Sequence, residues 1–102
     1  MVYKKIIMIN IYIYMPIEFS KSKVKNKKYA VKYNGKTINF GSTINSQFKD
    51  TTGLGLYSYL DNNDIKKRKA FRARFSKIKN KEGQLVYKLK TSPTYWSWHY
   101  LW

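Results

Sequence analysis

The sequence predicts a single small α+β domain, in which an antiparallel hairpin packs against a basic helix and an aromatic C-terminal helix. A chain of 102 residues is about one domain long. Two alternating runs flank Asn34-Gly35, a basic segment without Gly or Pro follows Asp64, and residues 94–102 are rich in Trp and Tyr. Because 43% of the residues are hydrophobic, the chain is too rich in core-forming side chains for a disordered polycation. The domain is expected to span residues 29–102.

Residues 1–28 are expected to be a flexible basic arm or, at their beginning, the product of a misplaced start. The Ile- and Tyr-rich run 6–14 is too short for a membrane span and is interrupted by Asn10, so a membrane partner is not expected. The residue types of this run have AT-rich codons, so the run can be translated non-coding DNA, with the true start at Met15. The alternative interpretation is that the run forms an edge strand or an anchor. Residues 20–28 hold five lysines and one apolar side chain, which is typical of a solvated arm.

The hairpin is predicted from turn chemistry and alternation together. Asn34-Gly35 favours a two-residue type I′ turn between residues 29–33 and 36–40. Such a turn pairs Tyr33 with Lys36 and fixes the register of the remaining pairs. One face of the hairpin is then apolar and needs a covering element. The residues expected on that face are Tyr29, Val31, Ile38 and Phe40.

The segment 41–60 predicts an irregular connection between the sheet and the helix. It contains Gly41, Gly53 and Gly55 together with several hydroxyl residues. Gly53-Leu54-Gly55 lacks the third glycine of a dinucleotide fingerprint, and no P-loop lysine follows it. We therefore expect flexible turns here rather than a phosphate loop.

A basic helix is predicted from Ile65 to about Asn80. The acids and amides of residues 61–64 supply N-caps, and Glu82-Gly83 supplies a stop. An apolar stripe at i, i+4 and i+7 would dock the helix on the body of the domain. This stripe consists of Phe71, Phe75 and Ile78.

The C-terminal part predicts a short strand and a second helix. Residues 85–89 alternate and would extend the hairpin as a third strand. Ser92 is the expected N-cap of the aromatic helix, with Pro93 at its first position.

The charge balance indicates a polyanionic partner. Lys and Arg total 21 against five acids, which gives a formal charge of +16. AT-rich coding explains the excess of Lys over Arg but not the shortage of acids. We expect contacts with the phosphates of DNA or RNA that select weakly for base sequence. Among the cations we expect the arginines to contribute most, because guanidinium binds phosphate bidentately. The alternative is an ordinary solvated helix face. The candidate nucleic-acid-binding residues are Lys66, Lys67, Arg68, Lys69, Arg72, Arg74, Lys77 and Lys79.

The aromatic C-terminus supports three interpretations. Its rings can form the core of a small domain, which we favour, or a protein interface, or platforms for base stacking. The interface interpretation makes the chain a structural or adaptor protein that binds another protein through these rings. The residues concerned are Tyr95, Trp96, Trp98, Tyr100 and Trp102.

Catalysis, cofactors and metal ions are not expected. Without cysteine the chain has no disulfide, no thiolate metal ligand and no cysteine nucleophile. His99 is the only histidine, and its nearest acid in the sequence is Glu82. A general base usually needs an orienting partner and a group to deprotonate, which this pattern does not supply.

The order of these landmarks resembles a family of short basic proteins of large nucleocytoplasmic DNA viruses, the DUF5754 family. The resemblance rests on the segment 27–41 ending in Phe40-Gly41, the charged segment 64–74, and the Trp-rich segment 95–102. It departs at Phe75, where the family tends to have His after the helical Arg. The resemblance implies a viral source, with the host cytoplasm or the virion as location, and raises packaging or capsid-associated roles.

Overall fold

The computed structural model describes residues 17–102 and shows a small α+β arrangement, as the sequence predicts. A three-stranded antiparallel sheet has the order β1 (Phe19–Lys21), β2 (Lys27–Tyr33) and β3 (Lys36–Ser42). Two helices follow, α1 (Ile65–Phe75) and α2 (Pro93–Tyr100). Short 3-10 turns occupy Ser58–Leu60 and Val86–Lys88. The predictions for residues 1–14 lie outside the described residues.

The predicted hairpin and its register are confirmed. Tyr33 pairs with Lys36, and the pairs Val31–Ile38 and Tyr29–Phe40 follow. Asn34 and Gly35 have φ values of 49° and 74°, the positive values that a type I′ turn requires. The apolar face is buried as expected, with Tyr29 and Phe40 both 0% exposed. The turn therefore sets which face of the sheet meets the helices.

The third strand is not the one that the sequence predicts. Residues 86–88 form a 3-10 turn, and Leu85 makes only an isolated bridge with Lys79. The outer strand is β1, in which Phe19 pairs with Val31. The ring of Phe19 reaches the core and lies 4.7 Å from that of Tyr100. Within the lysine-rich segment 20–28, residues 20–21 and 27–28 therefore belong to strands of the sheet, and the ring of Phe19 packs beside the core.

Helix α1 begins as predicted and ends five residues early. The Asp64 carboxylate caps it by accepting bonds from the backbone N–H of Lys66 (2.9 Å) and Lys67 (3.2 Å). Beyond Phe75 the chain pairs with a later segment instead of continuing the helix, since the N–H of Asn80 donates to Gln84 and that of Val86 donates to Ile78. Ile78 is consequently 41% exposed and does not extend the apolar stripe.

Helix α2 closes the core. Ser92 Oγ accepts the N–H of Thr94 at 3.2 Å, and Pro93 occupies the first turn, as predicted. Trp96 and Leu101 are each 1% exposed and pack against the apolar face of the sheet. Trp96 Nε1 donates to the carbonyl of Lys90 at 2.7 Å, so burial of the indole leaves its N–H paired.

Buried polar side chains hold the connection between β3 and α1 in place. Gln47 is 0% exposed and donates to the Tyr57 carbonyl (2.7 Å) and to Asp61 Oδ1 (2.6 Å). Its carbonyl oxygen accepts from the ammonium of Lys28, which also donates to Asn45 O at 2.8 Å. The connection is irregular, as predicted, but it is hydrogen-bonded to the sheet.

Candidate nucleic-acid interface

The solvent face of α1 carries four exposed cations, which we call the helix cations: Lys66, Lys67, Lys69 and Arg74. The small residues Ala70 and Ala73 lie between them and are also exposed. This face contains no acid, because α1 has none in its eleven residues. An anionic partner would meet positive charge and little steric obstruction along this side.

The arginine pair, Arg68 and Arg72, faces the opposite way. Together with Phe71 and Phe75 these residues follow the i, i+3, i+4, i+7 spacing that defines one helix face, and all four are half-buried or buried. The guanidinium carbon of Arg68 lies 4.7 Å from the Phe48 ring centroid, and that of Arg72 lies 5.2 Å from the Trp98 ring.

This placement differs from the sequence-based expectation that Arg68 and Arg72 face solvent and contact phosphate. Arg72 Nη2 donates to the carbonyl of Trp102 at 3.1 Å, so its fork is used to dock α1 onto the C-terminal segment. Burial, and then the like charge of Arg68, lower the pKa of Arg72 from its ordinary value. The Nε atoms of both arginines are buried without a hydrogen-bond partner. The pair therefore positions α1, and the cations that α1 leaves exposed are the helix cations.

Lys77 and Lys79 lie beyond the end of α1. Both are exposed, but they belong to the turn that brings Ile78 beside Val86. The structure therefore separates them from the line of the helix cations, with which the sequence had grouped them.

Acids are few on the described surface because most of them serve the fold. Asp64 caps α1, while Asp61 accepts from Gln47 and from the backbone N–H of Asp50 at 2.8 Å. Asp50 in turn accepts from the Tyr29 hydroxyl. Only Glu18 and Glu82 are exposed acids within residues 17–102, against sixteen exposed lysines and arginines. The exposed charge is therefore more one-sided than the composition alone indicates.

The aromatic C-terminal residues pack within the domain. Trp96 is buried in the core, and Tyr95 and Tyr100 are half-buried beside it. Trp98 stacks on Tyr87 with ring centroids 4.4 Å apart, and Trp102 stacks on Phe71 at 4.6 Å and an interplanar angle of 7°. One side of α2 thus meets the sheet and the other meets α1.

His99 is an exposed residue of α2. Its ring lies 4.3 Å from that of Tyr95. Partial desolvation, and then the charge of Arg72, lower the pKa of His99 from its ordinary value. Within residues 17–102 no group of three His, Asp or Glu side chains could hold a metal ion.

Sequence reasoning missed the contribution of Lys27 and Lys28. Both were placed in the mobile arm, yet they are the first two residues of β2. Lys28 is 1% exposed and serves the buried network, whereas Lys27 is exposed and lines a groove beside α1. Alternation alone gives the opposite assignment, because it places Lys27 on the face of the buried Tyr29 and Lys28 on the other face. Asn45 and Gln47, which are distant in the sequence, enclose Lys28, so no local signal marked it.

The comparisons add no relative to this picture. No protein-family model, curated protein or solved structure matches the chain. The resemblance to the viral family therefore stays a prediction. No helix in the described part of the chain, residues 17–102, is long and apolar enough to cross a bilayer.

Proposed function

We propose that the protein binds nucleic acid without catalysing a reaction, through contacts between the helix cations and the phosphate backbone. The observation that carries this proposal is the acid-free exposed face of α1 on a helix whose other face is fixed to the domain. Lysine and arginine side chains that neutralise phosphates release condensed counterions, and this release favours binding without reading the base sequence.

The anchoring of α1 supports this function. A cationic helix that is mobile loses conformational entropy when it binds, whereas α1 is held by stacked rings and by the arginine pair. Its exposed side chains are therefore presented in a fixed arrangement. The charge of the arginine pair adds to the local positive potential without needing direct phosphate contact.

The alternative function, a minor capsid or adaptor protein that binds through the aromatic C-terminus, gains no support from the packing. Exposed aromatic anchors would be expected at such an interface. Here Tyr95, Trp96, Trp98, Tyr100 and Trp102 are buried or half-buried against other parts of the same domain.

The viral resemblance motivates the biological setting that we propose for this binding. It suggests nucleic-acid packaging or a place in the virion, with the host cytoplasm or virus particles as location. Fractionation of infected cells and particles, with the co-purifying nucleic acid measured, tests this setting; absence of the protein from both fractions would contradict it.

A matched pair of charge variants tests the phosphate contacts. The helix variant replaces all four helix cations by Gln, and the control variant replaces four exposed lysines elsewhere, namely Lys21, Lys32, Lys36 and Lys88. Both variants lose the same formal charge, so they separate position from net charge.

We expect the helix variant to bind a 20-mer DNA or RNA more weakly than the control variant does. Its plot of log affinity against log salt should be shallower by about 3, since each of the four lost phosphate contacts contributes about 0.7–0.9 to the slope. The measurement is fluorescence anisotropy at several salt concentrations. Equal affinities and slopes for the two variants would contradict the assignment to α1.

A further inference from the structure

A groove of about 450 Å³ lies between α1, α2 and the adjoining ends of β2 and β3. This volume falls within the range of small-ligand sites, roughly 300–1,000 Å³. Gly41 lies in its lining with φ +79°, and a Cβ at that position would come within 3.0 Å of Leu101 Cδ1. The absence of a side chain at Gly41 therefore allows Leu101 and Lys28 to pack closely against β3 at the edge of the groove.

Aromatic rings form one wall of this groove. Phe71 stands between two partners, with Phe75 stacked on it at 4.4 Å and Trp102 stacked at 4.6 Å. Phe71 is buried, while Phe75 and Trp102 are half-buried and line the groove. The guanidinium carbon of Arg74 lies 5.0 Å from the Phe75 ring centroid. A planar ligand would therefore meet stacked aromatic surface next to a cation.

The charge of the groove selects an anionic ligand. Its lining includes Lys27, Lys28 and Arg74 and contains no acid. Lys28 is committed to Asn45 and Gln47, which leaves Lys27 and Arg74 as exposed cations. Arg74 is also one of the helix cations, so the groove continues the phosphate-binding face of α1.

We infer that this groove accepts a base of single-stranded nucleic acid, with the base against the ring of Phe75 and its phosphate at Arg74 and Lys27. The inference rests on the proposed function and deepens it, since it names the form of nucleic acid that is bound. Bases stack on aromatic side chains and on guanidinium planes in single strands, whereas a duplex keeps its bases paired inside. The protein is therefore expected to prefer single strands to duplex, with little dependence on base sequence.

Abasic oligonucleotides separate base stacking from phosphate contact. The probes are a thymidine 20-mer, a uridine 20-mer and a 20-mer of abasic deoxyribose with the same number of phosphates. We expect the full chain to bind the two base-containing strands about 5- to 150-fold more tightly than the abasic strand, the range that one stacked base contributes. The thymidine and uridine arms also show whether deoxyribose or ribose is preferred.

Substitutions at the groove assign the effect to its rings. Phe75→Leu, which keeps an apolar side chain against Phe71, should lower the ratio of thymidine to abasic affinity toward 1, while Phe75→Tyr should retain it. Tyr59→Leu removes a ring that is 76% exposed and outside the groove, and should leave the ratio unchanged. Because each ratio is taken within one variant, a general loss of affinity cancels.

Quenching of Trp102 provides a second readout. Tryptophan fluorescence should fall when the thymidine strand binds, and Trp102→Phe should remove most of this change. Equal affinities of the wild-type chain for thymidine and abasic strands would overturn the groove assignment while leaving phosphate binding intact. Failure of both strands to bind at low salt would overturn the proposed function itself.

Discussion

Lys28 carries the most unusual charge in the described residues, because its ammonium group is enclosed by the connection between β3 and α1. It donates to the carbonyl of Asn45 and to the side chain of Gln47. Burial lowers its pKa from 10.5 to about 8, although the charges of Asp50 and Asp61 oppose this shift. Keeping the ammonium group charged near neutral pH therefore costs free energy of desolvation. In return the charged group donates to two carbonyl oxygens of the connection.

The lowered pKa of Lys28 makes the free energy of unfolding depend on pH. Between about pH 8 and 10.5 the unfolded chain binds more protons at this residue than the folded chain does, so stability from this group rises with pH. Above about pH 10 the titration of Tyr29 lowers the free energy of unfolding and so opposes the contribution of Lys28. Burial and the bond to Asp50 raise the pKa of Tyr29 from 10.0 to about 12, so its contribution is lost as the pH increases further.

Urea unfolding at pH 7.0, 8.5 and 9.5 is the measurement for Lys28. We expect the free energy of unfolding of the wild-type chain to increase over this range. The increase should be smaller in Lys28→Met, because the variant lacks the group that titrates. Lys32→Met, at an exposed position of the same strand, should keep the wild-type gain and controls for the change in net charge. An equal gain in Lys28→Met and Lys32→Met would contradict the account of Lys28.

Helix α1 is capped at its N-terminus by Asp64, the residue before its first helical residue. The Asp64 carboxylate satisfies two of the backbone N–H groups that no residue within the helix can pair. Its negative charge also lies at the positive end of the helix dipole. The cap therefore stabilises the element that presents the helix cations.

Replacing this cap should destabilise the domain. Asp64→Ala is expected to lower the free energy of unfolding by about 1 kcal/mol, because two N–H groups lose their acceptor. Asp64→Asn keeps an accepting oxygen and should lose less. Urea denaturation at pH 7 measures both variants, and a wild-type midpoint for Asp64→Ala would show that the cap contributes nothing.

Elements whose signals are local could be predicted from the sequence. Asn34-Gly35 fixes the hairpin register within a few residues, and Ser92-Pro93 and Asp64 mark helix starts through their own side chains. Elements that depend on distant partners could not. Strand β1 has a three-residue ladder and a single core ring, Phe19, so its pairing with β2 leaves little alternation to detect.

Two features of the candidate site, the end of α1 and the direction of its arginines, also depend on partners that are distant in the sequence. Residues 76–80 have no helix breaker, yet α1 ends at Phe75, because the segment after it pairs with residues 84–86. Arg68 and Arg72 were predicted to contact phosphate because guanidinium binds phosphate bidentately. Phe48, Trp98 and the Trp102 carbonyl attract them inward, and none of these partners is near α1 in the sequence.

Within residues 17–102, the fold uses three of its five acids internally and leaves sixteen of its nineteen lysines and arginines exposed. Asp50, Asp61 and Asp64 serve the network and the cap, so they do not offset the exposed lysines. Like charges in this number repel one another and destabilise the compact state. A polyanion that binds the folded chain would relieve this repulsion and stabilise the domain by mass action.

The salt dependence of binding by the unmodified chain tests the central claim most directly. Affinity for a 20-mer duplex and a 20-mer single strand would be measured by anisotropy from low to moderate salt. If the four helix cations contact phosphates, the plot of log affinity against log salt should fall with a slope of about −3 or steeper. Absence of binding at low salt, or an affinity that does not change with salt, would contradict the claim that the protein binds nucleic acid through phosphate contacts.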